Sequence, residues 1–239
     1  MATARELRQL LRPLLKRRPD LALGRRELFF LPLTHYLRGV AFTVSRRSKR
    51  FEAHSIVSQL FNGSCGLPDD GNDHQPSYEV SESWVDDPER ASAELCRHLE
   101  QRALPLVAAI TGPREHENAP EYMPLYFDDT PPLKFANYAF TVALGACFPG
   151  DFERAKRVLT DVLVYYGEFM PTEATEEFRF GADLFGRMAY LLRLLRTERA
   201  RIPQLLHDWE AYRVDSLKLT KYWKPTPFPC DAIVAAAPH

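Results

Sequence analysis

The leucines of "MATARELRQLLRPLLKRRPD" stand at Leu7, Leu10, Leu11, Leu14 and Leu15, spacings that put them on one face of a helix docked on a core. Pro19 and Gly24 end that pattern. The next stretch, "ELFFLPLTHYLRGVAFTV", is rich in aromatic and β-branched residues, and its alternation places Val40, Phe42 and Val44 on one face, with Gly39, Ala41 and Thr43 on the other. A second run from Phe51 to Phe61 comes after a polar turn. Together the two runs predict an antiparallel hairpin or meander, with Pro32 at a strand end because it cannot donate to a ladder. The turn-forming residues of "NGSCGLPDDGNDHQP" predict a long loop, and "SYEVSESW" offers one more strand.

From Asp87 onward the pattern is mainly helical. Asp87 is a good N-cap, and Pro88 suits the first helical position, where no N–H is needed. Pro105 should kink or split this helix, which Gly112 and Pro113 close. Leu133 to Cys147 is apolar on nearly all sides and so predicts a central helix. After the turn "FPGD", Phe152, Ala155, Val158, Leu159, Val162, Leu163 and Tyr166 trace one helical stripe. A third helix carries Leu184, Phe185, Met188, Leu191, Leu192 and Leu195, and a fourth carries Ile202, Leu205, Leu206, Trp209 and Tyr212.

The expected fold class is therefore α+β: a small antiparallel sheet with flanking helices in the N-terminal half, and helical hairpins in the C-terminal half. The expected organisation is an α+β region over 1–125, a helical region packed against it over 126–224, and an extended tail over 225–239. A single domain over both regions is the alternative. Leu133 to Gly167 resembles one tetratricopeptide-type hairpin in Ala143, in Gly150 at the turn and in Ala155. It departs from that motif at Ala139 and Ala146, where a large aromatic is expected, and no copy is found about 34 residues later, so a plain helical hairpin is the reading adopted.

Composition narrows the class. Apolar residues make up 45% and charged residues 26%, ordinary globular usage that excludes a disordered chain. No apolar run approaches the ~20 residues of a membrane-spanning helix. The cysteines Cys65, Cys96, Cys147 and Cys230 form no C-x-x-C pair, and the first 20 residues lack a continuous apolar stretch, so a reduced, cytoplasmic protein is expected. The net charge of −1 hides a segregation that does change the picture. Residues 1–50 hold 13 Lys/Arg against 3 Asp/Glu, while residues 51–130 hold 4 against 16. A basic segment precedes an acidic one.

Candidate chemistry is sparse. "SRRSKR" concentrates Arg46, Arg47, Lys49 and Arg50 in one turn, the contact set that a phosphate or a partner would meet. The acidic segment after it and the lack of an interleaved aromatic disfavour nucleic acid there, and favour internal charge complementarity. Asp69, Asp70, Asp73 and His74 offer oxygen and nitrogen donors but not the spacing of a calcium loop. Glu176 and Glu177 beside Arg179 read as the solvated first turn of a helix. The seven histidines show no zinc spacing, and the chain has no G-x-S-x-G elbow, phosphate loop or dinucleotide fingerprint. Neither metal nor cofactor is expected.

Tyr165, Tyr166, Tyr190, Trp209 and Tyr212 are expected to build the core rather than to line a groove. "PTPFP" offers a polyproline ligand, with a terminal loop as the default. The functional expectation is a cytoplasmic interaction or regulatory protein that engages protein, without catalysis of its own. The first alternative is a hydrolase-like enzyme using carboxylate and histidine acid/base groups. The second is nucleic-acid binding through residues 46–50.

Overall fold

In the computed structural model, which describes residues 3–45, 49–63, 77–118, 132–169 and 183–236, the chain divides into two units. The first takes its residues from 1–58 and 71–111, the second from 59–70 and 112–239. The architecture is α+β, with the sheet in the N-terminal half and helices filling the C-terminal half.

The first unit begins with α1 (Ala4–Arg17), started by a capping box in which the Thr3 hydroxyl accepts from the Glu6 N–H and the Glu6 carboxylate accepts from the Thr3 N–H. Next come five strands: β1 (Leu21–Leu23), β2 (Glu27–Phe30), β3 (Tyr36–Val44), β4 (Phe51–Gln59) and β5 (Ser77–Val80). They form one antiparallel meander in sequence order, with Leu23 opposite Leu28, Leu28 opposite Val40 and Phe51 opposite Val80. That register sends Leu21, Leu23, Leu28, Val40, Phe42, Phe51, Ala53 and Val80 to one core. Leu7, Leu10, Leu11 and Leu14 of α1 cover it, together with Leu95, Cys96 and Leu99 from α2 (Pro88–His98) and the turn after it. The predicted stripe of α1 and the predicted alternation in β3 are thus the two sides of one contact.

Pro105 breaks its helix as expected, and in a specific way. Between α2 and α3 (Leu104–Ala108) the chain widens into a π-turn over Leu99–Ala103, where the Leu104 N–H reaches back to the Leu99 carbonyl. The proline supplies no N–H of its own, so the regular ladder cannot continue through it.

The second unit opens with a 3₁₀ turn (Leu60–Asn62) and short α4 (Pro113–Asn118), then α5 (Pro132–Cys147), α6 (Phe152–Tyr166), α7 (Leu184–Thr197), α8 (Ile202–Ser216) and α9 (Pro229–Ala235). Helix α5 is central, with Ala136, Phe140, Ala143, Leu144 and Cys147 all buried. It ends in a Schellman turn: Asp151 N–H bonds the Ala146 carbonyl, Gly150 N–H bonds the Cys147 carbonyl, and Gly150 takes φ +90°. Asp151 and Asp183 then cap α6 and α7 by accepting from Arg154 N–H and Gly186 N–H. The α6 stripe is buried at Phe152, Ala155, Leu159 and Val162, and burying each large member contributes about 1.5–3 kcal/mol.

Two expectations fail here. Tyr212 is exposed, because the buried face of α8 runs through Trp209 to Arg213 and Val214. The tail is not extended throughout: Pro229–Ala235 is helical, with Phe228 and Cys230 buried.

Candidate functional site

The basic turn closes between β3 and β4, where the Ser45 N–H bonds the Arg50 carbonyl. Arg46 and Arg47 lie outside the described residues. Lys49 and Arg50 are described, and both face carboxylates. Lys49 Nζ sits 2.7 Å from Glu6 Oε1 and 5.8 Å over the Trp84 ring, whose Nε1–H in turn donates to the Lys49 carbonyl at 2.8 Å. Arg50 lies 3.5 Å from Glu79 on β5. Arg17, from the same basic segment, pairs with Glu100 at 2.9 Å. The last two pairs join the basic first fifty residues to the acidic stretch beyond them. Meander pairing brings the Arg50 pair about, since β4 and β5 run back alongside the basic turn.

The Glu6 carboxyl is held at about 2, below its usual 4.5, first by its bond to the Lys49 ammonium and then by the Thr3 N–H and hydroxyl. A folded value below the unfolded one contributes stability above pH 4.5, and that contribution is lost as pH falls through about 2. Lys49→Met is therefore expected to lower the thermal midpoint slightly at pH 7, by no more than a partly exposed pair contributes, about 1 kcal/mol. The gap from wild type should shrink between pH 4.5 and 2. Thermal scans over that range check it, and a gap that stays constant would show that Lys49 acts through packing alone.

Among the described histidines, His54 Nε2 lies 3.3 Å from Glu52 Oε2, on one face of β4. His98 stacks on Tyr78 at 4.2 Å, and its protonation is disfavoured by burial and by Arg102. His207 Nε2 lies 3.0 Å from Asp231 Oδ2, which also accepts the Phe228 N–H at 2.9 Å and so caps α9. A groove of about 370 Å³ lies in the first unit between α1 and α2, bordered by Pro13, Ser92 and Cys96 and crossed by the Arg17–Glu100 pair. Its inward groups serve the fold: Ser92 Oγ donates to the Leu10 carbonyl at 2.6 Å, and the Cys96 thiol donates to the same oxygen. Asp69, Asp70, Asp73 and His74, along with Cys65, Glu176, Glu177 and Arg179, lie outside the described residues. Among the described residues, no group of three or more His, Cys, Asp or Glu is placed to hold a metal ion, and no helix is long and apolar enough to cross a membrane.

What the sequence pattern did not bring forward is the end of α6. Val164 is 78% and Tyr165 74% exposed, and Phe169 in the next 3₁₀ turn is 54% exposed. Beside them stands a chain of rings within the second unit: Phe135 to Tyr166 at 6.0 Å, Tyr166 to Phe169 at 6.4 Å, Tyr166 to Phe185 at 6.2 Å, and Phe169 stacked on Phe185 at 5.7 Å. Tyr165 was expected in the core. The stripe through Leu159 and Val162 leaves Val164 on the far side of the helix, a phase legible in "VLVYYGEF", whereas Tyr165, three residues after Val162, stands at the flank of the stripe, where phase alone does not show its exposure. Exposed Asp161 stands three residues before Val164 on the same face of α6, and exposed Glu168 lies in the 3₁₀ turn that follows the helix.

Compared with protein-family models, with curated proteins and with solved structures, the chain matches none.

Proposed function

We propose that the chain is a cytoplasmic protein-interaction module without catalysis of its own, and that it docks a partner protein on the aromatic end of α6. The observation that carries this reading is the joint exposure of Val164, Tyr165 and Phe169. Single exposed apolar side chains need no explanation, but a contiguous group of them marks an interaction surface. Tyrosine and phenylalanine bring large contact area for few rotatable bonds, and the ring chain behind them limits the ordering cost of docking. Asp161 and Glu168 rim the patch, so the complementary surface is an apolar knob flanked by lysine or arginine. The cysteine usage of the sequence supports a reducing compartment.

The test is quantitative capture of partners from native lysate by the wild-type chain and by a Val164→Asp, Tyr165→Ser double variant. Both positions are exposed, so folding stability is expected to stay within about 0.5 kcal/mol per substitution. Retention of the partner should fall by about 30-fold or more, the loss of a hot spot of about 2 kcal/mol. Equal recovery of the same proteins by both chains would overturn the reading. So would turnover by the purified protein that is abolished on substituting a single carboxylate.

A further inference from the structure

The cations of the first fifty residues divide into two sets. Arg17, Arg18, Lys49 and Arg50 each have a carboxylate oxygen within 3.5 Å, on Glu100, Asp20, Glu6 and Glu79 respectively. Arg5, Arg8, Arg12 and Lys16 of α1 are exposed, and none of them has a carboxylate partner among the described residues. Their spacing of three, four and four residues puts them on one face of the helix, in a row roughly 16 Å long at 1.5 Å per residue. With Leu7, Leu10, Leu11 and Leu14 turned into the core, that row lies on the solvent side, and the strip between it and the groove against α2 holds neutral Gln9 and Pro13. The carboxylates of the same segment are engaged elsewhere: Glu6 by Thr3 and Lys49, Asp20 by Arg18, and Glu27 by the Arg26 N–H.

The helix forms against these charges. Arg5 stands in its first turn, where the macrodipole disfavours a cation. Arg8 with Arg12, and Arg12 with Lys16, are like-charge pairs four residues apart, which weaken a helix. A ligand that presents a line of negative charge relieves both effects. Which polyanion fits follows from what the face lacks, since no exposed leucine, valine or aromatic side chain stands on α1. A protein partner would want an apolar or aromatic hot spot at the centre of its contact. Stable hold on a membrane takes an apolar insertion besides a basic patch, and a single strand takes rings on which bases stack. The phosphate backbone of a duplex asks for cations alone. Arginine, three of the four, matches phosphate oxygens with its planar fork.

We infer that the exposed face of α1 is a binding site for the phosphate backbone of a nucleic-acid duplex, independent of base sequence, with Arg5, Arg8, Arg12 and Lys16 each answering a phosphate. The site is distinct from the turn at residues 46–50, whose described cations Lys49 and Arg50 face carboxylates. It belongs to the first unit and the patch at Val164 and Tyr165 to the second, so each stands or falls without the other.

The test titrates the intact chain into a fluorescent DNA duplex of random sequence and follows anisotropy at about 50 and about 200 mM salt. Four phosphate contacts predict a slope of log K on log salt of about −3.6, a weakening of roughly 150-fold over that range. The triple variant Arg5→Gln, Arg8→Gln, Arg12→Gln should leave a slope near about −0.9 and bind at least about tenfold more weakly at the lower salt. A control triple, Arg102→Gln, Arg157→Gln, Arg196→Gln, removes the same charge at exposed positions elsewhere and should bind as the wild type does. Glutamine suits a helix about as well as arginine, and circular dichroism checks that both variants are folded. No binding of the duplex at about 50 mM salt with about 100 µM protein, or equal weakening by both triples, overturns the inference. So does a wild-type chain that holds single-stranded DNA, phosphatidylserine vesicles or polyglutamate more tightly than the duplex.

Discussion

Trp209→Ala is expected to lower stability by about 3–5 kcal/mol, the range for removing a fully buried large aromatic. The indole is 0% exposed at the middle of α8, edge-on to Phe140 of α5 at 5.9 Å. It also fills the space that Gly63 leaves: a Cβ at Gly63 would come within 2.9 Å of the ring, and the chain there turns at φ +71°. Removing the indole opens a cavity bordered by elements that are each fixed elsewhere. Buried Arg187, for example, donates to the Asn62 and Asp183 carbonyls while lying 5.4 Å over the Phe140 ring. Collapse into the void is therefore limited, and the cost should stay at the upper end. A shift of the denaturant midpoint equivalent to less than about 1.5 kcal/mol would mean that α8 does not organise the second unit as described.

Gly39→Ala is expected to cost about 3 kcal/mol or more in the first unit, although it adds a single methyl group. Gly39 pairs with Phe29 across β2 and β3. A Cβ there would stand 1.9 Å from the Leu28 carbonyl oxygen and 2.8 Å from the Phe29 Cα, and both are backbone atoms that cannot rotate aside. The strands would have to part, which breaks the Leu28–Val40 register feeding the core. Glycine in a strand often marks such an approach of two backbones. Denaturant midpoints followed by far-ultraviolet circular dichroism read this out, and a change under about 1 kcal/mol would show that β2 and β3 do not pair in this register.

Local patterns carried much of the fold. The α1 stripe, the β3 alternation, the Asp87–Pro88 start, the break near Pro105 and the Gly150 turn each arise from residues within a few positions of one another, and sequence reads such signals directly. The partners of the charged turn were less legible. Glu6 lies 43 residues before Lys49, and Glu79 lies 29 residues after Arg50, so only the meander shows which carboxylates answer which cations. The tail was misread for the same reason. Its prolines describe an extended stretch correctly at Phe228, yet the box for that ring is assembled from Phe61, Phe148 and His207, and no local window contains them. Tyr165 was placed in the core on its helical spacing, three residues after Val162, and only the packing of α6 shows that this flank of the helix is exposed.

The central claim, that the end of α6 is a protein-docking surface, is tested most directly by placing a photoreactive phenylalanine analogue at position 165 in the native cell and, as a control, at exposed Arg157 two turns earlier on the same helix. Irradiation is predicted to give one discrete, higher-mass protein adduct from position 165 and none from position 157. No adduct at 165, or the same adducts from both positions, would contradict it.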